Sequence, residues 1–150
     1  MSKLSFTRRR SAVLPELRPM FKIGKILIIL RVCCAGGKAS LLKLHLFNWA
    51  MLEQKRVQAL QLSAEKKQLV IGVWGIDPSL NMALAHATAE GLVCRLPNGS
   101  YKLTSKGDNF ISGSKLLELF DEEVKELGAV AKKITEKMVT DAAKRWADEI

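Results

Sequence analysis

Hydrophobic residues in the first part of the chain follow helical spacing. Residues 21–35 are apolar apart from three basic side chains, and they predict a buried helix over residues 20–34 that ends at Gly36-Gly37. Glycine favours a helix end because it adopts left-handed backbone geometry without a steric cost. Since the stretch is shorter than the roughly 20 apolar residues that cross a bilayer, we expect no membrane segment.

Three further segments follow before residue 75. A second predicted helix covers residues 41–52, with Ser40 as its N-cap, and it is apolar on nearly every side. Residues 53–67 are polar, with helical spacing of their few apolar positions and without clear boundaries. Residues 69–74 are apolar and β-branched, which predicts a short strand.

Surplus apolar surface on the first two helices predicts a protein interface. On the first helix, Phe21, Ile28 and Val32 lie opposite the stripe that would face the core. This is more apolar surface than one small domain usually buries, and an exposed remainder marks an interface. The alternative is that a C-terminal helix of the same chain covers these positions.

A strong helix start and a hairpin signal occupy the middle of the chain. Asp77-Pro78 places an N-cap acid before a proline, and it predicts a helix over residues 78–90 that stops at Gly91. Residues 92–103 then predict a β-hairpin with an Asn-Gly turn at its tip.

The last part of the chain, residues 114–150, predicts one long amphipathic helix. Its apolar residues recur mostly in steps of three and four, at Leu116, Phe120, Val124, Leu127, Ala131, Ile134 and Met138. This spacing also suits a coiled-coil seam, through which the chain could associate with a second copy.

A short strand, a capped helix and a hairpin in this order favour a winged helix-turn-helix fold. The sequence AHATAEGLVCRLPNGSYKLTSKGDNFI resembles the winged-helix pattern in which Glu90-Gly91-Leu92 ends a helix and Leu103-Thr104, with Gly107, begins the next. We therefore expect a mainly α protein with a small β-hairpin. It would comprise a basic flexible arm (residues 1–19), a winged-helix domain that includes the N-terminal helices (residues 20–113) and the amphipathic C-terminal helix (residues 114–150).

The composition of the predicted helix over residues 78–90 is unusual for a helix that reads DNA. Winged helices often place this helix in the major groove, yet here it contains no Lys or Arg, the residues that most often contact bases and phosphates. Helical spacing groups Met82, Ala85 and Ala89 on the side away from the core. Small apolar groups on an outer face favour a protein partner, unless the C-terminal helix covers them.

The net charge of +9 is concentrated in the first 38 residues, which hold nine basic residues and one acid. A basic cluster attracts nucleic acid through a salt-sensitive field that does not read sequence. The residues that would make such non-specific DNA contacts are Arg8, Arg9, Arg10, Arg95, Lys102 and Lys106. The alternatives for the arm are a solvated tail or contact with an acidic protein.

Residues suited to catalysis or metal binding are sparse. The chain has three cysteines and two histidines, and it contains no glycine-rich phosphate loop, zinc-protease motif or nucleophile elbow. Cys33 and Cys34 are adjacent and cannot easily bridge each other, which argues against a disulfide framework and favours the cytoplasm. His45 lies on the apolar second helix and is interpreted as a core or interface residue. We expect no catalytic residues, no metal and no cofactor.

A wider resemblance adds a function. The segments FKIGKILIILRVCC, ASLLKLHLFNWAM and GIDPSLNMALAHATAEGLV resemble the small middle component of bacterial ABC three-component conflict systems, which include Lamassu-type defence. The matching positions are Leu44, His45, Asn48, Trp49, Asp77, Pro78, Ser79, Leu80, Leu103 and Thr104. The resemblance implies an adaptor that bridges an SMC-like or ABC ATPase and an effector, often a nuclease.

A transcription regulator is the competing hypothesis. Such a protein would dimerise through the C-terminal helix and touch DNA with Arg95, Lys102, Lys106 and the arginine arm. A homodimer that binds one operator with strong base preference would favour this hypothesis over the adaptor.

Overall fold

The computed structural model describes residues 19–128 and 130–149 of the 150-residue chain. Within them the helices are α1 (Pro19–Ile28), α2 (Leu41–Ala50), α3 (Gln54–Lys66), α4 (Pro78–Ala89), α5 (Ser105–Gly113), α6 (Leu116–Leu119), α7 (Asp121–Gly128) and α8 (Glu136–Glu149). The strands are β1 (Lys38–Ala39), β2 (Val93–Arg95) and β3 (Tyr101–Leu103). The arm with Arg8, Arg9 and Arg10 lies outside the described residues. None of the described helices has the length and apolar character needed to cross a bilayer.

The first two helices form where the sequence predicts them. α1 continues as a π-helical turn, Ile29–Cys33, and the glycine after it, Gly36, has a φ of +70°. Ser40 caps α2, since its hydroxyl accepts a hydrogen bond from the Lys43 N–H at 3.2 Å. The polar segment after α2 forms the helix α3, so helical spacing was a sufficient signal there.

The hairpin is also confirmed, and a third strand joins it. β2 and β3 pair antiparallel, with Cys94 opposite Lys102, and Asn98 and Gly99 lie in the turn. β1 pairs antiparallel with the other edge of β3, which places Lys38 opposite Lys102 and gives the sheet order β1-β3-β2. The structure is therefore mainly helical with a small antiparallel sheet.

Residues 69–74 form an irregular segment, so the prediction of a strand there is wrong. No described strand runs beside them, and side chains satisfy their backbone groups instead. The Val70 N–H donates to Ser63 Oγ at 2.9 Å, and the Arg145 guanidinium donates to the Leu69 carbonyl oxygen at 2.8 Å. Only Leu69 and Trp74 of this segment are fully buried, so its apolar, β-branched composition reflects two buried ends and no strand pairing.

The prediction of a single long C-terminal helix is also wrong. The segment is divided into α6, α7, a 3₁₀ turn at Ala131–Lys133, and α8. A straight helix of this length would extend about 55 Å, and most of it would lie beyond the core. By turning, the chain buries most of the residues that set its apolar period: Phe120, Leu127, Ala131, Ile134 and Met138. These residues therefore belong to the chain's own core and do not form an exposed coiled-coil seam.

The same segment covers the outer side of α1 and its π-helical turn. Ile28 is only 2% exposed, and the Phe21 ring packs on Phe120 with 5.0 Å between centroids. Val32 is partly buried and lies beside Gly128. The C-terminal segment, through α6 and α7, thus supplies much of the cover that the alternative required. The prediction of a protein interface is wrong for Ile28, which is buried, and stays a prediction for Phe21 and Val32, which keep some exposed surface.

Candidate interface on helix α4

Local sequence signals fix both ends of α4. The Asp77 carboxylate caps the helix by accepting hydrogen bonds from the Ser79 N–H at 2.9 Å and the Ser79 hydroxyl at 2.7 Å. Pro78 occupies the first turn, where its missing N–H costs nothing. The residues buried on the inner face are Leu80, Ala83, Leu84 and Ala87. After the helix, Gly91 has a φ of +77°, which a residue with a side chain rarely adopts.

The opposite face of α4 carries an exposed apolar row. Pro78, Met82, Ala85 and Ala89 follow one another in steps of four, three and four, and all are exposed. We call these four residues the outer strip. Met82 is 67% exposed, the largest exposed fraction among the big apolar side chains described. The prediction that Met82, Ala85 and Ala89 face away from the core is confirmed, and no described element of this chain buries them.

Two exposed apolar residues lie just before the outer strip in the sequence. Val73 and Ile76 are 64% and 55% exposed, and they immediately precede the N-terminus of α4. Gly75, between them, lies near Trp49, whose ring is partly buried under the Arg56 guanidinium at 4.4 Å. Of the helix α2 residues predicted at an interface, Trp49 thus keeps some exposed surface.

His45 and Asn48 are not surface residues, so their placement at an interface is wrong. Of the two alternatives given for His45, core or interface, the core one is confirmed. Each residue is 1% exposed, and both contact the start of α4. His45 Nδ1 accepts a hydrogen bond from the Asp77 N–H at 3.2 Å, which assigns the ring proton to Nε2, 2.9 Å from Asn81 Oδ1. The Asn48 amide donates to Asp77 Oδ2 at 3.3 Å. Both residues therefore position the start of α4 from inside the fold.

Asp77 connects this polar network to α1. Its Oδ2 lies 3.0 Å from the Lys22 ammonium, which is almost fully buried. Burial by itself raises the pKa of Asp77, but hydrogen bonds from Ser79 and Lys22, with the charge of Lys22, outweigh it and hold that pKa well below its ordinary value. The carboxylate is thus charged throughout the neutral range and links α4 to α1.

Replacing Asp77 with asparagine removes this charge while keeping a good N-cap residue. We expect Asp77→Asn to lower the free energy of unfolding at pH 7 by about 1 to 2 kcal/mol. The unfolded carboxyl has a pKa of about 3.9 and the folded one is lower, so the charge stabilises the fold above pH 4. That stabilisation is lost as the pH falls through the folded value.

Urea denaturation from pH 7 to pH 2 checks this prediction. The stability difference between wild type and Asp77→Asn should narrow in acid. Asp141→Asn is the matched control, since Asp141 pairs with Lys137 on the exposed side of α8 and should matter little. A difference that is independent of pH would show that the charge of Asp77 does not stabilise the fold.

The basic residues near the hairpin have different surroundings. Arg95 and Lys102 are exposed on β2 and β3. Lys106 is also exposed, and its ammonium donates to the Glu90 carbonyl oxygen at 2.7 Å, which satisfies the C-terminal end of α4. Arg95 and Lys102 remain available for a phosphate, while Lys106 has a structural partner.

Sequence reasoning missed the burial of Lys22, Lys25 and Lys43, which are at most 4% exposed. The available signal was a lysine within a strongly apolar helix. In the described part of the chain, no cluster of three or more His, Cys, Asp or Glu residues could hold a metal ion. Comparison of the chain with family models, with curated proteins and with solved structures gives no match.

Proposed function

We propose that the chain is a non-enzymatic adaptor subunit of winged-helix type, which docks on another protein through the outer strip of α4. The order α1, β1, α2, α4, β2, β3 supports the fold, since it provides a helix followed by a hairpin on a core of helices. The sheet order β1-β3-β2 agrees with it. α3 is then an additional helix between the second helix and the recognition helix.

The composition of the outer strip is the observation that carries the proposal. A winged helix that reads DNA presents this face to the major groove, and its contacts come from charged and amide side chains. Here the face holds Pro78, Met82, Ala85 and Ala89, and α4 has no basic residue other than His86. An uncharged apolar row gains nothing from a phosphate backbone, whereas it can be buried against a protein.

The partners follow from the resemblance noted above. They would be an SMC-like or ABC ATPase and an effector such as a nuclease, within a bacterial anti-phage or anti-plasmid complex in the cytoplasm. The free thiols of Cys33, Cys34 and Cys94 fit a reducing compartment. Arg95 and Lys102 would add non-specific DNA contact to the assembled complex.

An arginine on the outer strip tests the docking surface. We expect Ala85→Arg or Ala89→Arg to reduce partner capture at least tenfold, because a long charged side chain would be desolvated inside a close-packed apolar contact. Both positions are exposed, so stability should change by no more than about 0.5 kcal/mol. Quantitative co-purification from the native host, with thermal unfolding of each variant, measures both effects.

Gln58→Arg is the matched control, since Gln58 is exposed on α3 and away from the strip. It should capture the same partners as wild type. Equal capture by all three arginine variants and wild type would remove α4 from the interface. A wild-type homodimer that binds one operator with strong base preference would favour the transcription regulator instead.

A further inference from the structure

A pocket outside α4 combines several lysines. It has a volume of about 300 Å³ and lies between β1, the hairpin turn, the 3₁₀ turn and the start of α8. The lysines that line it are Lys38, Lys43 and Lys132, and the acid is Glu136. Asn98 and Ser100 of the hairpin turn add polar groups at its edge.

Lys43 is the unusual member of this lining. Lys43 is only 4% exposed, yet none of the described residues forms a hydrogen bond or ion pair with its ammonium group. The ammonium itself is not among the buried polar atoms that lack a partner, so it reaches the open space of the pocket, where water or a bound anion can compensate its charge. The side chain lines the pocket, so the pocket is where a compensating group can reach it.

Among the described residues, neither Glu136 nor a thiolate forms an ion pair with Lys43. Both carboxylate oxygens of Glu136 are engaged by Ser40, with its N–H at 3.0 Å and its hydroxyl at 2.8 Å. Burial raises the pKa of Cys34 to about 12, and burial with the neighbouring Cys34 raises that of Cys33 further, although Lys43 and Lys132 act in the opposite direction. Both thiols are therefore neutral at physiological pH.

The helices around the pocket add to its positive potential. α2 begins at Leu41 and α8 at Glu136, so two helix N-termini lie close to the lining residues. The N-terminal end of a helix carries a partial positive charge and favours anions. The three lysines and one glutamate of the lining give the pocket a net charge of +2, and the two helix N-termini add to this positive potential.

We infer that this pocket binds a phosphomonoester dianion. The charge of the lining matches a dianion better than the single charge of a phosphodiester. Lys43 is recessed, so a terminal phosphate reaches it, whereas a bridging phosphate carries a substituent on each side. The phosphate would come from a free nucleotide or from the 5′ end of a nucleic acid strand. No residue of the outer strip belongs to the pocket, so this inference is independent of the proposed function.

Thermal unfolding of the full chain tests the site. Methyl phosphate is expected to raise the Tm of wild type in a concentration-dependent way at constant ionic strength, because a ligand that binds only the folded state stabilises it. Dimethyl phosphate should not. Lys43→Met should abolish the shift and keep the fold, since an apolar chain of similar length replaces an ammonium without a partner. Lys66→Met, which removes one exposed charge from α3, should leave the shift intact.

Two further arms complete the experiment. Lys132→Met should weaken binding several-fold, and it serves if Lys43→Met does not fold. The second arm compares a 5′-phosphorylated trinucleotide with its 5′-hydroxyl form and with methyl phosphate. If the phosphorylated trinucleotide binds more tightly than methyl phosphate and the 5′-hydroxyl form does not bind, the phosphate belongs to a strand end. If the phosphorylated trinucleotide and methyl phosphate bind equally, the phosphate belongs to a small molecule. Equal Tm shifts for wild type and Lys43→Met, equal shifts with the monoester and the diester, or no shift with either phosphomonoester probe would overturn the inference.

Discussion

Replacing Gly107 with alanine is expected to destabilise the fold by about 3 kcal/mol. A Cβ at this position would overlap the carbonyl oxygen of Leu92 and lie 2.7 Å from Cδ1 of Leu103. The Leu92 carbonyl cannot move freely, because it accepts a hydrogen bond from the Thr104 N–H at 3.1 Å, and the Thr104 hydroxyl next to it is fixed by a 2.6 Å bond to the Gly91 carbonyl oxygen. The glycine lets α5 approach the first strand of the hairpin closely enough for this arrangement.

Gly113→Ala is the matched control for this prediction. Gly113 lies at the end of the same helix, and a Cβ there would have no neighbour within 4 Å. Alanine favours a helix by roughly 0.5 to 1 kcal/mol relative to glycine, so this variant should be neutral or slightly stabilised. Urea denaturation followed by circular dichroism measures both. Equal stability of the two variants would show that α5 does not pack against Leu92.

Trp74→Ala is expected to cost about 3 to 5 kcal/mol. Trp74 is 1% exposed, and its ring meets that of Trp146 edge-on with 4.3 Å between centroids. Its indole N–H donates to the Leu42 carbonyl oxygen at 3.2 Å. One side chain therefore holds the irregular segment between α3 and α4 against α2 and α8, and its removal leaves a large cavity.

Val73→Ala provides the comparison for Trp74→Ala. Val73 is the preceding residue and is 64% exposed, so its truncation should change the free energy of unfolding by no more than about 0.5 kcal/mol. Thermal and urea unfolding of both variants, followed by circular dichroism, give the two values. A cost below about 1 kcal/mol for Trp74→Ala would mean that α8 does not dock on this segment.

The elements that the sequence predicts correctly are those with local chemical signals. Ser40, Asp77 and Thr104 each cap a helix with a hydroxyl or carboxylate that bonds a backbone N–H two or three residues later. The Asn98-Gly99 turn closes its hairpin in the same local way. Such signals depend on neighbours along the chain, so they can be interpreted without the tertiary structure.

The errors share a dependence on distant partners. The apolar segment before α4 has the pattern of a strand, but Arg145 and Ser63 bind its backbone in place of a neighbouring strand. The C-terminal segment has the period of one helix, but it bends where its apolar groups meet the core. The Ser40 bonds to Glu136 span 96 positions, and no local pattern announces them.

The residues of the candidate site and of the pocket also differ in whether local sequence predicts their position. Leu80 and Leu84 fix which face of α4 is buried, so the outward direction of Met82 and Ala85 follows from helical geometry. For His45, in contrast, the sequence left core and interface open, and only its contacts with Asp77 and Asn81 explain its burial. The unpartnered ammonium of Lys43 likewise depends on elements far away in sequence.

Oxidation footprinting of Met82 tests the central claim most directly, because this side chain is the most exposed large apolar group of α4. Its sulfoxide formation is measured by mass spectrometry in the free chain, in the assembly isolated from the host, and with duplex DNA. The adaptor proposal predicts that the assembled partner protects Met82 several-fold and that duplex DNA alone does not. Equal oxidation in the free chain and the assembly, or protection by duplex DNA, would contradict it.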